Sequence, residues 1–158
     1  MTRKDRLLAD LRRAYAGEAW HGPALAVLLR DVDAATAAAP PAVGAHSIWE
    51  IVLHLTGWVR EVARRLEGRP AQLPEGGDWT AVGDTSASAW EAARKALAEA
   101  HGELVGVLAN LADSRLDEPL PTSSPTEERV TAELTLSGVL QHDAYHGGQI
   151  ALLKKARR

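Results

Sequence analysis

The apolar residues of the chain recur every three or four positions in five segments, and this spacing predicts amphipathic helices. No segment of five or more residues alternates apolar and polar side chains between turn signals, so the sequence predicts no β-strand. The five predicted helices run from Arg3 to Tyr15, from Gly22-Pro23 to Ala39, from Ser47 to Gly68, from Ser88 to Leu111 and from Thr131 to Lys155.

Local signals mark where two of these helices begin. Ser47-Ile48-Trp49-Glu50 and Ser88-Ala89-Trp90-Glu91 match the capping box, in which the serine oxygen accepts from an early backbone N–H and the glutamate accepts from the serine N–H. Thr85 or Ser86 is an alternative start for the second of these helices. Gly68-Arg69-Pro70 ends the first of them, because proline cannot continue a helix.

Two long connections separate the predicted helices. The segment from Pro70 to Asp84 contains the Gly76-Gly77 pair and a single aromatic residue, Trp79, and the segment from Asp113 to Arg129 is rich in proline and serine. Four long helices after a short N-terminal one predict an all-α four-helix bundle with a short extra helix, as a single domain over residues 1–158. Connections of this length allow an order other than up-down-up-down.

Composition and charge limit the partners of such a bundle. The net charge is −3, from 18 basic and 21 acidic residues whose signs are interspersed, so no broad basic face is predicted for nucleic acid or for a membrane surface. The chain has no cysteine, which excludes disulfides, thiolate ligands and a cysteine nucleophile. No segment has the apolar length of a signal peptide or of a membrane span. We expect a soluble, cytoplasmic protein that acts on a small molecule.

Two histidines, His142 and His146, lie four residues apart in the last predicted helix, so their imidazoles point the same way from adjacent turns. The helical spacing places them on the inward face with Val139, Gln149 and Leu153. Two buried imidazoles without partners are unfavourable, and neutral imidazole is a good ligand for zinc, nickel, copper and iron. The pair therefore predicts a divalent metal site.

His54 is the best candidate for a third ligand, because it lies in the middle of a predicted helix among apolar residues. A catalytic zinc typically has three protein ligands and one open position. The alternative is that the three histidines are core residues satisfied by hydrogen bonds. The order His142-Asp143-x-x-His146 also resembles a zinc peptidase helix, but aspartate replaces the glutamate and only twelve residues follow His146, which leaves no room for a downstream ligand.

The histidine motifs resemble those of the DinB/YfiT-like metalloenzyme superfamily. The segment from His46 to Leu55 contains His54, and the segment from Leu140 to Ile150 contains the His142 and His146 pair. Members of this superfamily are four-helix bundles in up-down-down-up order, with a metal held by one histidine of the second bundle helix and an H-x-x-x-H pair of the fourth. The resemblance extends over nearly the whole chain, from Trp20 to Lys155.

The resemblance implies a metal-dependent enzyme, either a hydrolase or a transferase or isomerase that uses a low-molecular-weight thiol such as bacillithiol or mycothiol. It implies a divalent metal on His54, His142 and His146, with zinc or nickel ahead of iron or manganese, and a homodimer. The alternatives are a non-catalytic metal-binding or stress-response bundle and a dimeric interaction module. The motif does not decide between water and thiol as the nucleophile.

Helical geometry nominates neighbours of the three histidines. Glu50 and Trp58 lie one turn before and after His54; we expect Glu50 to cap its helix rather than support a ligand, and Trp58 to form a pocket wall or core. Gln149 lies one turn after His146 and either contacts the substrate or packs. His21, at a predicted helix start, lies at the mouth of the bundle or in a structural turn.

The remaining neighbours are predicted to stay outside the chemistry. Asp143 and Tyr145 flank the ligands at about 100° around the helix, which favours an outward or supporting position. His46 is expected in a loop before the capping serine. His101 is expected at the surface of its helix.

Overall fold

A computed structural model of the protein describes residues 1–41, 44–124, 126 and 129–156. The described part is mainly helical, as the sequence predicts, with one two-stranded hairpin. Its elements are α1 Arg3–Ala16, β1 Glu18–Ala19, β2 Gly22–Pro23, α2 Leu25–Leu29, α3 Ala34–Ala38, α4 Ile48–Leu66, α5 Ala87–Asn110, a 3-10 helix Asp113–Asp117 and α6 Ala132–Lys155.

Helix α1 is one of the four long bundle helices rather than the short extra helix predicted from the sequence. Its 14 residues begin at a capping box in which Thr2 and Asp5 bond each other's backbone N–H groups. Leu7 and Leu11 are buried against the rest of the bundle. The prediction placed the helix correctly but assigned the wrong role to it.

The prediction of one bundle helix from Gly22 to Ala39 is wrong. The segment instead supplies β2, which pairs with β1 in a hairpin that the sequence did not predict, and forms two five-residue helices, α2 and α3. The Asp33 side chain accepts a hydrogen bond from Thr36 N at 2.8 Å, so it starts a new helix instead of continuing α2. The apolar residues that suggested one helix are all buried, so their periodicity reports burial: Leu25, Leu28, Leu29 and Val32.

Helices α4, α5 and α6 match their predictions closely because each has a side-chain cap. The capping box of Ser47 and Glu50 starts α4 as predicted. Ser86, the alternative start, caps α5 through its bond from Ala89 N, and Thr131 caps α6. A serine or threonine oxygen that accepts an otherwise unpaired N–H fixes the first turn of each helix.

The contacts between helices give an up-down-down-up order for α1, α4, α5 and α6. Helices α4 and α5 are parallel, because Trp49 meets Trp90 near their beginnings and Arg60 and Glu103 share a groove nearer their ends. Helix α6 is antiparallel to α4, and α1 is antiparallel to α5 and parallel to α6. The pairs that fix these directions are His54 with His142, Ile51 with Leu153, Lys4 with Leu111, Tyr15 with His101, and Arg3 with Glu133.

The parallel order of α4 and α5 sends their connection, residues 67–86, back along the bundle. Glu61 accepts a hydrogen bond from Gln72 N, and Pro74 packs against Gly57, where a Cβ would lie 2.8 Å from the proline. Asp78 then reaches the level of His54. The connection therefore passes along α4 from its end towards its beginning.

The core consists of two apolar clusters. One surrounds Leu11, Leu104 and Leu136, and the other surrounds Leu55, Leu97 and Ile150. No described helix is long and apolar enough to cross a membrane.

Candidate metal centre

His54 of α4 and His142 and His146 of α6 come together in the folded chain. The Nε2 atom of His142 lies 2.9 Å from Nε2 of His54 and 3.0 Å from Nε2 of His146. His54 and His146 are buried and His142 is half-buried. The antiparallel packing of α4 and α6 thus brings together the three residues that the sequence nominated as metal ligands.

The far nitrogens of two of these histidines are held by oxygen acceptors. His54 Nδ1 donates to the backbone carbonyl of Asp78 at 2.7 Å, and His146 Nδ1 donates to Oε1 of Gln149 at 2.7 Å. These bonds place the ring proton of each neutral imidazole on Nδ1 and leave its Nε2 lone pair pointing into the cluster. Gln149 thus orients a candidate ligand and also lines the pocket beside it.

The cluster fits a metal cation because its lone pairs converge. A neutral His142 can donate from Nε2 to one neighbour, so at least one of the two short contacts joins two lone pairs unless a cation lies between them. A tetrahedral zinc with bonds of about 2.0–2.1 Å holds its ligand nitrogens about 3.3 Å apart. The histidine nitrogens need to separate by only a few tenths of an ångström to accept such an ion.

The surroundings of His142 and His146 favour the neutral, ligating form of both imidazoles. Burial and the nearby His146 and His54 lower the pKa of His142 to about 4. Burial also lowers the pKa of His146 below its usual range, against the opposing effect of its bond to Gln149. A histidine must be unprotonated at the coordinating nitrogen to bind a metal, so both shifts favour binding near neutral pH.

Trp79 of the α4–α5 connection forms one wall of the site. Its ring stacks on His54 at 4.0 Å between centroids with 6° between planes, and His46 stacks on its other face at 3.5 Å. The indole therefore lies between the two imidazoles. His46 lies before the capping serine, as predicted, but it contacts a wall of the site and lines its pocket, which the sequence did not indicate.

Asp78 connects the same wall to α4. Its Oδ1 accepts a hydrogen bond from Trp58 Nε1 at 2.8 Å and lies 3.3 Å from His54 Nδ1. Trp58 meets His54 edge-on and, with His142, lines a smaller cavity of about 250 Å³. Trp58 therefore lies beside two of the histidines, and its indole N–H holds Asp78 in place.

A pocket of about 570 Å³ opens beside the three histidines. Its volume is in the range of small-molecule sites. The residues that line it besides the histidines include Ile51, Asp78, Trp79, Tyr145, Gln149 and Leu153.

A larger groove of about 670 Å³ lies between α4 and α5 but contains no histidine. Its charged lining residues have both signs, Arg60 and Arg64 against Glu67 and Glu103. We place the functional site at the histidines, where the donor atoms converge.

Glu50 and His21 do not join the cluster. The Glu50 carboxylate accepts from Ser47 N at 2.7 Å, so its capping role is the one realised, and this bond lowers its pKa. His21 is exposed in the β1–β2 hairpin and lines a separate surface cavity with Trp20. Tyr145 is 65% exposed, as predicted, but its ring edge meets His146 at the pocket rim.

His101 and Asp143 correct two expectations. His101, predicted at the surface, is 3% exposed, and Asp143, predicted outward or supporting a ligand, is 1% exposed in the centre of the bundle. His101 Nε2 and Asp143 Oδ2 face each other at 3.7 Å. Neither of these two atoms has a hydrogen-bond partner among the described residues. Burial raises the pKa of Asp143 to about 8 and lowers that of His101 to about 4. The Tyr15 ring stacks on His101.

The sequence did not identify Asp78 and Trp79 as site residues. The single signal was the presence of one tryptophan in a connection rich in glycine and proline. Its position beside His54 depends on the parallel order of α4 and α5, which local spacing does not encode.

A comparison with protein families gives a match that covers most of the chain. The model of the DinB superfamily matches residues 19–150, a range that includes all three histidines. No curated protein and no solved structure shows a significant match to the chain. The family match confirms the resemblance inferred from the histidine motifs.

Proposed function

Because the chain belongs to the DinB superfamily, we propose that it is a metalloenzyme whose His54, His142 and His146 hold one divalent metal for a reaction of a small molecule. The observation that carries this proposal is the convergence of three Nε2 atoms, with those of His54 and His146 lying 2.9 and 3.0 Å from that of His142. Two of these atoms have lone pairs fixed by Nδ1 hydrogen bonds.

The metal would supply Lewis acidity, which lowers the pKa of a water or a thiol at an open coordination position. The protein's own contribution is orientation. The Asp78 carbonyl and the Gln149 amide hold two ligand rings in place, and such partners typically change metal affinity by about 10- to 100-fold.

The pocket supports an enzyme over a purely structural metal site. A structural zinc has four protein ligands and no open position. Among the described residues only these three histidines form a ligand cluster, and a pocket of about 570 Å³ adjoins them. We propose that the reaction is either the hydrolysis of a small substrate or the transfer of a low-molecular-weight thiol to it. Because the chain has no cysteine, such a thiol would come from a cosubstrate.

Metal stoichiometry tests the proposal. Protein stripped with a chelator is reloaded separately with zinc, nickel, iron and manganese, and bound metal is measured by elemental analysis after gel filtration. We expect about one ion per chain, with affinity lost by at least about 100-fold in the His54→Ala and His142→Ala variants.

The His21→Ala variant is the matched control, because His21 is an exposed histidine away from the cluster. It should bind metal as the parent does. An equal loss in this variant, or no metal in the parent under any loading, would show that the three histidines are core residues. Loaded protein that binds one ion then enters a screen of ester, amide and thiol-transfer substrates.

A further inference from the structure

We infer that the pocket beside the three histidines takes a small molecule that is apolar beyond its metal-binding group and is uncharged or cationic there. Ligands that carry carboxylates or phosphates in that position should bind more weakly. The inference rests on the proposed metal centre and gives its substrate a chemical class. It derives from the charge and polarity of the pocket walls.

The fixed charge on the pocket wall is negative. Apart from the histidines, Asp78 is the only lining residue with a formal charge within the described ranges. Its side chain is 51% exposed and contacts Trp58 Nε1 and His54 Nδ1, neither of which is a fixed cation.

No lysine or arginine of the described chain lines this pocket. The lysine nearest in sequence to the lining residues of α6 is Lys154, whose Nζ bonds the Leu28 carbonyl and the Asp31 carboxylate. Lys155 follows as an exposed residue at the end of α6. A ligand anion that extends away from the metal would therefore meet Asp78 with no lysine or arginine of the described lining to pair with it, and a metal-bound thiolate already offsets part of the positive charge of the ion.

The remaining walls are apolar. Trp79 and Ile51 form the inner side, while Tyr145 and Leu152 at the rim are 65% and 69% exposed. Apolar side chains that stay in water around a concave site are typical of ligand-binding grooves. A ligand with an aromatic or aliphatic body would cover them and remove their surface from water.

This lining separates the two classes of thiol that the proposed chemistry allows. A thiol whose other groups are carboxylates gains the metal bond but places its anions beside Asp78. A thiol with an aryl or alkyl body gains the same bond and also buries its body against Trp79 and Leu152. The second class should bind more tightly.

Binding of three matched thiols to the cobalt-loaded protein tests the inference. The probes are phenylmethanethiol, 4-(mercaptomethyl)benzoate and 4-(aminomethyl)phenylmethanethiol, which share one ring and one thiol and carry hydrogen, a carboxylate or an aminomethyl cation at the para position. Thiolate bonding to Co²⁺ produces a charge-transfer absorption, and its titration gives each dissociation constant. We expect the uncharged and cationic thiols to bind at least about fivefold more tightly than the carboxylate, the effect of one nearby unit charge in a wet site.

Two leucine variants on the same helix provide the control. Leu152→Lys adds a cation at the pocket rim and should strengthen binding of the carboxylate by about fivefold without strengthening binding of phenylmethanethiol. Leu134→Lys makes the same change at another exposed leucine of α6 that does not line the pocket, and it should alter neither. Both positions are exposed, so both variants should fold.

The outcomes distinguish a failure of the inference about the ligand from a failure of the proposed metal centre. Protein that binds no cobalt overturns the metal centre and the inference with it. Protein that binds cobalt but takes the carboxylate as tightly as phenylmethanethiol overturns the inference alone. Equal effects of Leu152→Lys and Leu134→Lys overturn it as well, because the charge would then act through the whole protein rather than in the pocket.

Discussion

Replacement of Asp143 by asparagine should change how the stability of the protein depends on pH. Asp143 and His101 face each other in the core at 3.7 Å. With the pKa of Asp143 raised to about 8 and that of His101 lowered to about 4, the folded pair holds one proton between these values. This count is the same whether the proton lies on the carboxyl or on the imidazole. Tyr15, stacked on His101, stays neutral in this range because burial raises its pKa.

The magnitude follows from proton linkage. In the unfolded chain an aspartate titrates near about 3.9 and a histidine near about 6.5. From about pH 4 to 6.5 the unfolded pair also holds one proton, so the pair adds no pH dependence. Because the pKa of Asp143 is raised to about 8 in the folded protein, the folded pair holds one proton more than the unfolded pair from about pH 6.5 to 8. The free energy of unfolding therefore falls as pH rises through this range. At about 1.4 kcal/mol per pH unit, the loss is about 2 kcal/mol.

Urea unfolding of the parent and of Asp143→Asn, with chelator present, measures this loss. The difference between the two proteins isolates the pair, because the other titrating groups are common to both. Between pH 6.5 and 8.5 the parent should lose about 2 kcal/mol relative to the variant. The variant instead retains only the buried His101, whose lowered pKa reduces stability as pH falls below about 6.5. Parallel curves for parent and variant over the whole range would refute the shared-proton reasoning.

Three further changes test the site and its support. Gln149→Ala should weaken zinc binding by about 10- to 100-fold in a chelator competition, whereas Gln149→Glu, which keeps an acceptor for His146, should weaken it less. Gly57→Ala should lower the free energy of unfolding by about 1–3 kcal/mol, because its Cβ would meet Pro74 at 2.8 Å. Gly102→Ala, with open space around the new Cβ, should instead raise it by about 1 kcal/mol. Ser47→Ala should cost about 1 kcal/mol, measured by urea unfolding; no change would contradict the capping role.

Local signals were sufficient for the parts of the fold that local interactions determine. The capping box at Ser47 and the four-residue spacing of His142 and His146 act over one helical turn, and the structure confirms the helix start and the shared direction of both rings. His101 was within reach of the same reasoning. It lies between Leu97 and Leu104 at helical spacing, so the apolar stripe of α5 already contained its position.

Other parts depend on packing between distant segments. The segment from Gly22 to Ala39 has helical periodicity, yet Asp33 caps a new helix in the middle of it. Which helix counts as the fourth member of the bundle depends on how α1 packs, and spacing within α1 does not encode this. Asp78 and Trp79 meet His54 because of the course of residues 67–86, a property of the whole bundle.

That course also explains why this bundle has room for a pocket wall at all. The 19 residues of α4 span about 28 Å, a distance that an extended chain covers with about nine residues. The segment 67–86 is longer than this, and the surplus lets the chain turn inwards at Trp79. An up-down-up-down bundle would join the same two helices by a short turn at one end and leave His54 open to water on that side. In this protein the topology of the bundle, rather than an added domain or insertion, encloses the histidines.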